Sequence, residues 1–362
     1  MGLNLSNSLK SQIAKVLWIT VGWTSISILY FFNVYANLIN LKRDISDIDP
    51  WLYFKGSLIT GILAGIFGGS GVVFFWEKWL RTKTYGRSLL SILRSFTLVY
   101  LAVGIPSSLF VGSGEMGLPF YHLKVWQRVL FELVSFPGLI SYFFWLFIVL
   151  GTLIILLVND KYGPGVFRDF LLGKYFHPKR EERIFMFLDL RSATNIAEKL
   201  GEERYFNFLR DVFSFSTPSI LDNNGEIYQY VGDEIVISWK VAKGAENANC
   251  IKCFFDIQKA LKKKEHYFQT NYNIVPEFKA GLHYGYVMAG EIGVVKRDIA
   301  FSGDVLNTTS RIQGKCNELG VDILISKFLL DKLNLESDSY HPTEIGDIEL
   351  KGKEQHVSLF TV

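Results

Sequence analysis

Two carboxylates stand where strand-forming segments end. Asp189 closes the apolar run Arg183-Ile184-Phe185-Met186-Phe187-Leu188, and Asp233 follows Gly232 between two β-prone stretches, 226–231 and 235–239. A Gly beside an Asp between two such stretches predicts a hairpin with a two-residue turn, and it puts Asp233 at the tip. Two acids at strand ends can hold hard cations such as Mg²⁺ against phosphate oxygens. Asp is also an ordinary turn residue, so the weight of this pair rests on what surrounds it. Downstream, Asn307 and Arg311 are four residues apart in a helical stretch and therefore share a face.

The elements that must position these side chains follow one another from residue 183. A strand (183–189) leads to a helix (193–215), the hairpin, and a second helix (244–268). Strands at 278–289 and 298–302, a helix at 304–319, and strands at 322–326, 345–350 and 356–362 complete the chain. That order is an α/β domain of ferredoxin-like β-α-β-β-α-β type with additions, and its length suffices to bury a core. Cys250 and Cys253 form a Cys-x-x-Cys on a helix, but no second pair or nearby His completes a zinc site. They read as two small residues facing the core.

The first 160 residues are of another kind. Hydrophobic residues make up 49% of the 362-residue chain and aromatic residues 15%, and they crowd into this half. Four stretches, 16–41, 57–76, 95–114 and 133–159, carry no charged residue. Each is long enough to cross a bilayer, which takes about 20 apolar residues per helix. Trp18, Trp51, Trp76 and Trp126 lie near the predicted ends, as interfacial anchors do. The first stretch is too long for a cleaved signal and lacks a persuasive cleavage site, so it reads as retained. Lys10 and Lys15, then Lys78, Arg81, Lys83 and Arg87, then Lys161, Arg168, Lys174, Lys179 and Arg180 fall on one side, so both termini are expected in the cytoplasm. Gly61, Gly65 and Gly69 make a small-xxx-small face for close helix packing rather than a phosphate loop, since no Lys-Ser/Thr follows. The outer loop, 115–132, shows no ligand code. A net charge of +3 implies no nucleic-acid partner, and three cysteines are too few for a disulfide framework. The expected domains are residues 1–159 (four transmembrane helices, in contact with membrane lipid), 160–182 (a connector with a helical face at Val166, Phe167, Phe170 and Leu171) and 183–362.

The last of these resembles the class III nucleotidyl cyclase catalytic domain, the family that makes cyclic AMP or cyclic GMP. Phe187-Leu188-Asp189-Leu190-Arg191-Ser192-Ala193-Thr194 is similar to the first metal motif of that family, and Tyr230-Val231-Gly232-Asp233 to the second. Gly281-Leu282-His283-Tyr284-Gly285, running on to Gly290 and Gly293, resembles the glycine-spaced strand and arm. Gly303, Asn307 and Arg311 match G-x-x-x-N-x-x-x-R. The motifs come in order across residues 183–353.

The resemblance implies a reaction and a cast. The ribose 3′-hydroxyl attacks the α-phosphorus and pyrophosphate leaves, with two Mg²⁺ ions per site (Mn²⁺ as an alternative). Asp189 and Asp233 would bridge the ions, and the Leu190 carbonyl would serve one of them. Arg191, Ser192, Ala193 and Thr194 open a helix whose free N–H groups suit the β- and γ-phosphates. By the same resemblance Asn307 orients the ribose, and Arg311 stabilises charge on the pentacoordinate phosphorus, for which a planar, permanent cation is suited. Lys353 is matched to the terminal phosphates. Members of the family share each site between subunits, the metal acids from one and the Asn/Arg pair from the other. A chain with the full set implies a homodimer with two sites.

Base selection departs from the family pattern. Adenine-specific members place Lys where this chain has Gln229, and Asp or Thr where it has Ala300. Asp298, two residues before Ala300, points to the same side of a strand and is the substitute. The Gln229 amide can donate to adenine N1 and Asp298 can accept from N6, whereas an ionised Asp298 cannot donate to guanine O6. The sequence thus leads to an adenylate cyclase in the plasma (inner) membrane, with ATP as substrate. A guanylate or dual-substrate cyclase and a catalytically silent cyclase-fold receptor are the alternatives.

Overall fold

Residues 7–40, 49–82, 84–162, 173–295, 298–333, 335, 340–349 and 356–362 are described by a computed structural model. The chain divides into two compact units, Met1–Lys161 and Tyr162–Val362.

In the second unit the strands are β1 (Lys179–Leu190), β2 (Glu226–Val231), β3 (Glu234–Lys240), β4 (Phe278–Ile292), β5 (Asp298–Ser302), β6 (Ile323–Ser326), β7 (Thr343–Glu349) and β8 (His356–Thr361). They form one sheet in the order β2-β3-β1-β4-β6-β8-β7, with β5 added on β4. The β1–β3 and β1–β4 pairs are antiparallel, whereas β4–β6 is parallel. The predicted β-α-β-β-α-β arrangement is therefore present. Alternation along β1 gives the sheet two apolar faces. Ile184, Met186 and Leu188 enter the main core, with Phe208, Val212, Phe254 and Ile257 from the helices. Phe185 and Phe187 join Val236, Val287 and Val305 on the opposite face.

The helices are α1 (Ala193–Leu200), α2 (Glu202–Asp222), α3 (Asn249–Lys262), α4 (Glu265–Tyr272) and α5 (Asp304–Gly314). Several predicted helices are divided. The one expected over 193–215 is two helices, because Gly201 takes φ +72° between them, and the second runs on to Asp222. The one expected over 244–268 is interrupted where Asn247 and Ala248 take positive φ. The one expected over 304–319 ends at Gly314, followed by a short turn at Cys316–Leu319. Cys250 and Cys253 lie fully buried in the main core, as their spacing suggested.

Helix α5 lies close on β4 because two glycines make room. A Cβ on Gly281 would fall 2.7 Å from the Gln313 Cα, and one on Gly285 would fall 3.1 Å from the Val305 Cβ. The buried side of α5 comprises Val305, Thr308, Thr309, Ile312 and Gln313.

In the first unit four helices, Gln12–Asn40, Pro50–Leu80, Gly86–Met116 and Phe136–Asn159, are long and apolar enough to cross a membrane. The glycine face of the second packs on the first: a Cβ on Gly61 would stand 2.6 Å from the Thr24 Cα, and one on Gly65 2.8 Å from the Thr20 Cβ. The stretch expected as an outer loop holds an additional helix, Leu123–Val134. Arg128 on this helix pairs with Glu115 and Glu132 and donates to the Tyr53 hydroxyl, while Leu130, Phe131 and Val134 are exposed. The expected helical face at Val166–Leu171 lies outside the described residues.

Gly281→Ala is expected to cost about 1–3 kcal/mol, since the methyl meets helix backbone and not a side chain that can turn away. Thermal unfolding of the full chain in detergent measures this, and an unaltered melting curve would contradict the close approach of α5.

Candidate active site

The carboxylates are brought together by register. Asp189, next to last in β1, lies opposite Glu234 of β3 on one side and Lys279 of β4 on the other. The last pair of the β2–β3 hairpin is Val231 with Glu234, so Gly232 and Asp233 alone make the turn. Gly232 has φ +63° and Asp233 does not share that sign, the pattern of a tight turn that wants Gly first.

The turn brings Asp233 within the influence of the Asp189 carboxyl. Burial and the neighbouring Asp189 carboxyl push Asp233 up to about 6. Burial and the charges of Asp189 and Asp233 push Glu234 up to about 7. Two donors answer the negative charge. The Lys279 Nζ stands 2.9 Å from Asp189 Oδ2, and the Gln313 Nε2 donates to the same oxygen at 3.0 Å. Sequence reasoning had missed Glu234, Lys279 and Gln313. Glu234 directly follows Asp233 and carried a readable signal. Lys279 and Gln313 become visible only through strand register and the descent of α5 onto β4.

Leu190 closes β1, and the turn after it is locked by Arg191. The Arg191 N–H donates to the Glu277 carbonyl at 2.8 Å. Its guanidinium donates to the Val321 carbonyl at 2.9 Å and to the Asp322 carboxylate. Arg191 thus spends its donors on the fold, and the N–H groups heading α1 are those that follow it. Ser192 takes φ +57°, and its side chain does not cap the helix. The N–H groups of Ala193 and Thr194 are left without intrahelical partners, as in any first turn.

Asn307 and Arg311 share a face of α5, as their spacing required, and Asn307 is exposed. Among the described residues Arg311 makes no ion pair or side-chain hydrogen bond. Gln313, two residues on, is the side chain that reaches Asp189. Two residues are about 200° of helix rotation, so Arg311 faces away from the carboxylates of its own chain. Gln229 is exposed on β2, next to a bulge between Ile227 and Gln229. Asp298 and Ala300 lie on β5 opposite Ile292 and Gly290. Lys353 lies outside the described residues.

Residues 177–362 match the family described as the adenylate and guanylate cyclase catalytic domain. The chain belongs to that family. It is 36% identical over 208 residues to adenylate cyclase 2 of Rhizobium meliloti (strain 1021), a match covering 58% of this chain and 57% of that protein. It is 29% identical over 184 residues to an adenylate cyclase of Anabaena cylindrica, covering 49% and 36%. Among solved structures, a bacterial light-regulated adenylyl cyclase aligns with TM-score 0.49 and 22% identity over 57% of this chain and 60% of that one. The chain therefore spans little more than half of the first curated relative and about a third of the second.

Cyclase domains of this family generally use divalent metals, and the donor set here fits such ions. It offers carboxylate oxygens, which hard cations prefer, and burial together with the neighbouring carboxyls raises Asp233 and Glu234 above their ordinary values. Among the described residues no cluster of three His, Cys, Asp or Glu donors is assembled. An ion held here would draw its other ligands from a carbonyl, substrate and water, as Mg²⁺ commonly does.

A pH dependence follows. Asp233 and Glu234 have ordinary values of 3.8 and 4.5 but are raised to about 6 and about 7 in the fold. The folded chain then binds more protons than the unfolded chain between these values, so the metal-free protein should lose stability as pH rises from about 4 to about 7. Added Mg²⁺ should raise the melting temperature more at about pH 8 than at about pH 5, because it takes the place of those protons. Equal shifts at both values would contradict the clustering.

Proposed function

We propose that the chain is a membrane-anchored adenylate cyclase that converts ATP to 3′,5′-cyclic AMP and pyrophosphate for intracellular signalling. The observation that carries this reading is the Asp189–Asp233 pair at the hairpin, set against an Arg311 turned away from it on α5. One copy supplies either half of a site, so a homodimer supplies two whole ones. Asp189, Asp233 and the Leu190 carbonyl would hold Mg²⁺ or Mn²⁺, which when bound supplies Lewis-acid polarisation of phosphate oxygens and of the attacking hydroxyl.

The remaining roles belong to the chain itself. N–H groups of Ala193 and Thr194 bind the β- and γ-phosphates at the positive end of α1. Lys279 and Gln313 hold the Asp189 carboxylate in place. From the other copy Asn307 orients the ribose, and Arg311 lends its fork of donors to charge gathering on the α-phosphoryl oxygens. Gln229 donates to adenine N1 and Asp298 accepts from N6. Lys353 joins the terminal phosphates. Residues 1–159 anchor the enzyme in the inner membrane with both termini cytoplasmic, 160–182 connect, and 183–362 form the catalytic domain.

The test uses full-length protein with MgATP or MgGTP. Cyclic AMP should dominate, and cyclic GMP as the main product would overturn the substrate. Asp233→Ala and Arg311→Ala should each lose at least about 100-fold in activity. Co-expressed, the two variants should recover about a quarter of wild-type activity, because half of the dimers then hold one intact site. No recovery despite proven mixed dimers would refute the shared site.

A further inference from the structure

Strand β5 is held to the sheet from one side only. It pairs with β4 along Asp298–Ser302 and with no other strand among the described residues. Its second tether is a side chain. The Tyr228 hydroxyl accepts a hydrogen bond from the Phe301 N–H at 3.2 Å, and the two ring centroids are 4.9 Å apart. An outward N–H of an edge strand is thereby satisfied by a group from β2, three strands away from β4.

The far side of Phe301 is also fixed. Its ring meets Phe185 at 5.7 Å, and the Arg183 guanidinium stands 4.5 Å from its centroid. Arg183 is 2% exposed and is itself held by Glu181 at 2.8 Å, Glu226 at 2.6 Å and Ser238 at 3.1 Å. A buried guanidinium with its donors occupied is a rigid wall. Phe301 therefore has little freedom toward the sheet, and Tyr228 limits its freedom along it.

The position of this link in the sequence gives it a consequence. Tyr228 immediately precedes Gln229, and Phe301 immediately follows Ala300. Gln229 stands opposite Val236, which packs with Tyr228 and Phe301 on one face of the sheet, so the link lies beside Gln229 on that face and directly behind Ala300, which alternation turns the other way. The bulge at Tyr228 is the local irregularity that puts Tyr228 and Gln229 on the same side of β2, with Tyr228 turned toward β5 and Gln229 exposed. We propose that Tyr228, acting through the Phe301 backbone, is a positioning residue that sets the selectivity of the site between adenine and guanine nucleotides. The proposal rests on the cyclase reading and adds a residue that itself touches no substrate. Without the hydroxyl, β5 loses its tether to β2. Asp298 and Ala300 then move relative to Gln229, and the distinction between a donor and an acceptor at the base edge weakens.

Tyr228→Phe removes one oxygen and keeps the ring. In the full chain, the ratio of ATP to GTP affinity should fall about fivefold, the worth of one neutral hydrogen bond. It is measured as Kd by displacement of a fluorescent nucleotide. The kcat/KM ratio should follow through KM, with kcat changed less than about twofold. Phe301→Leu keeps the N–H bond but loses the ring contacts, so it should lower the melting temperature and leave the ratio near wild type. An unchanged Kd ratio in Tyr228→Phe would overturn the proposal, and so would an equal change in Phe301→Leu. If the wild type formed no cyclic nucleotide, the cyclase reading would fail, and the Kd ratios would still decide the role of Tyr228.

Discussion

Like charges are forced together at one end of the sheet, and much of the second unit can be understood as a response. The antiparallel register of β1 and β3 sets Asp189 opposite Glu234, and a two-residue turn leaves Asp233 no route away from either. Water screens such a cluster poorly when it is partly buried. The fold supplies an ammonium from β4 and an amide from α5. The amide arrives because α5 rests directly on β4, and α5 can rest there because residues 281 and 285 have no side chain. A glycine inside a strand, ordinarily a weakness, is thus a condition for the electrostatics of the site.

What could be read in advance was whatever depends on short-range pattern. The hairpin turn at Gly232-Asp233, the apolar strand that ends at Asp189, the shared face of Asn307 and Arg311 and the apolar spans all rest on spacings of a few residues, and each stands in the structure as expected. Hidden were the features that depend on register between distant segments. Lys279 reads as one more charge at the start of a strand until β4 is set beside β1. The Arg191 N–H reads as free for phosphate until the Glu277 carbonyl is seen to accept it. Helix breaks were missed where a single residue takes positive φ, as at Gly201, because the apolar period carries on across the break.

The two units solve burial differently. The second has opposite sheet faces, each closed over by its own cluster of side chains. The first leaves Trp18, Leu29, Phe143 and Phe147 on its outside, a surface that water would penalise and hydrocarbon would not. Its helices meet through glycines, as expected where lipid supplies no hydrophobic drive for helices to associate. Helix Leu123–Val134 buries Val125 and Val129 and sends Arg128 to Tyr53 and Glu115, while Leu130, Phe131 and Val134 stay exposed.

The cysteines have a practical bearing of another sort. Cys250, Cys253 and Cys316 are the only thiols in the sequence, and all are buried. Burial pushes Cys250 up to about 12 and Cys316 up to about 11, so at neutral pH almost none of either is thiolate, the form that alkylating reagents attack. The native chain is in effect its own cysteine-free background. A spin label or fluorophore on one cysteine introduced at the surface would report from that place alone, without the core having been rebuilt to silence the others.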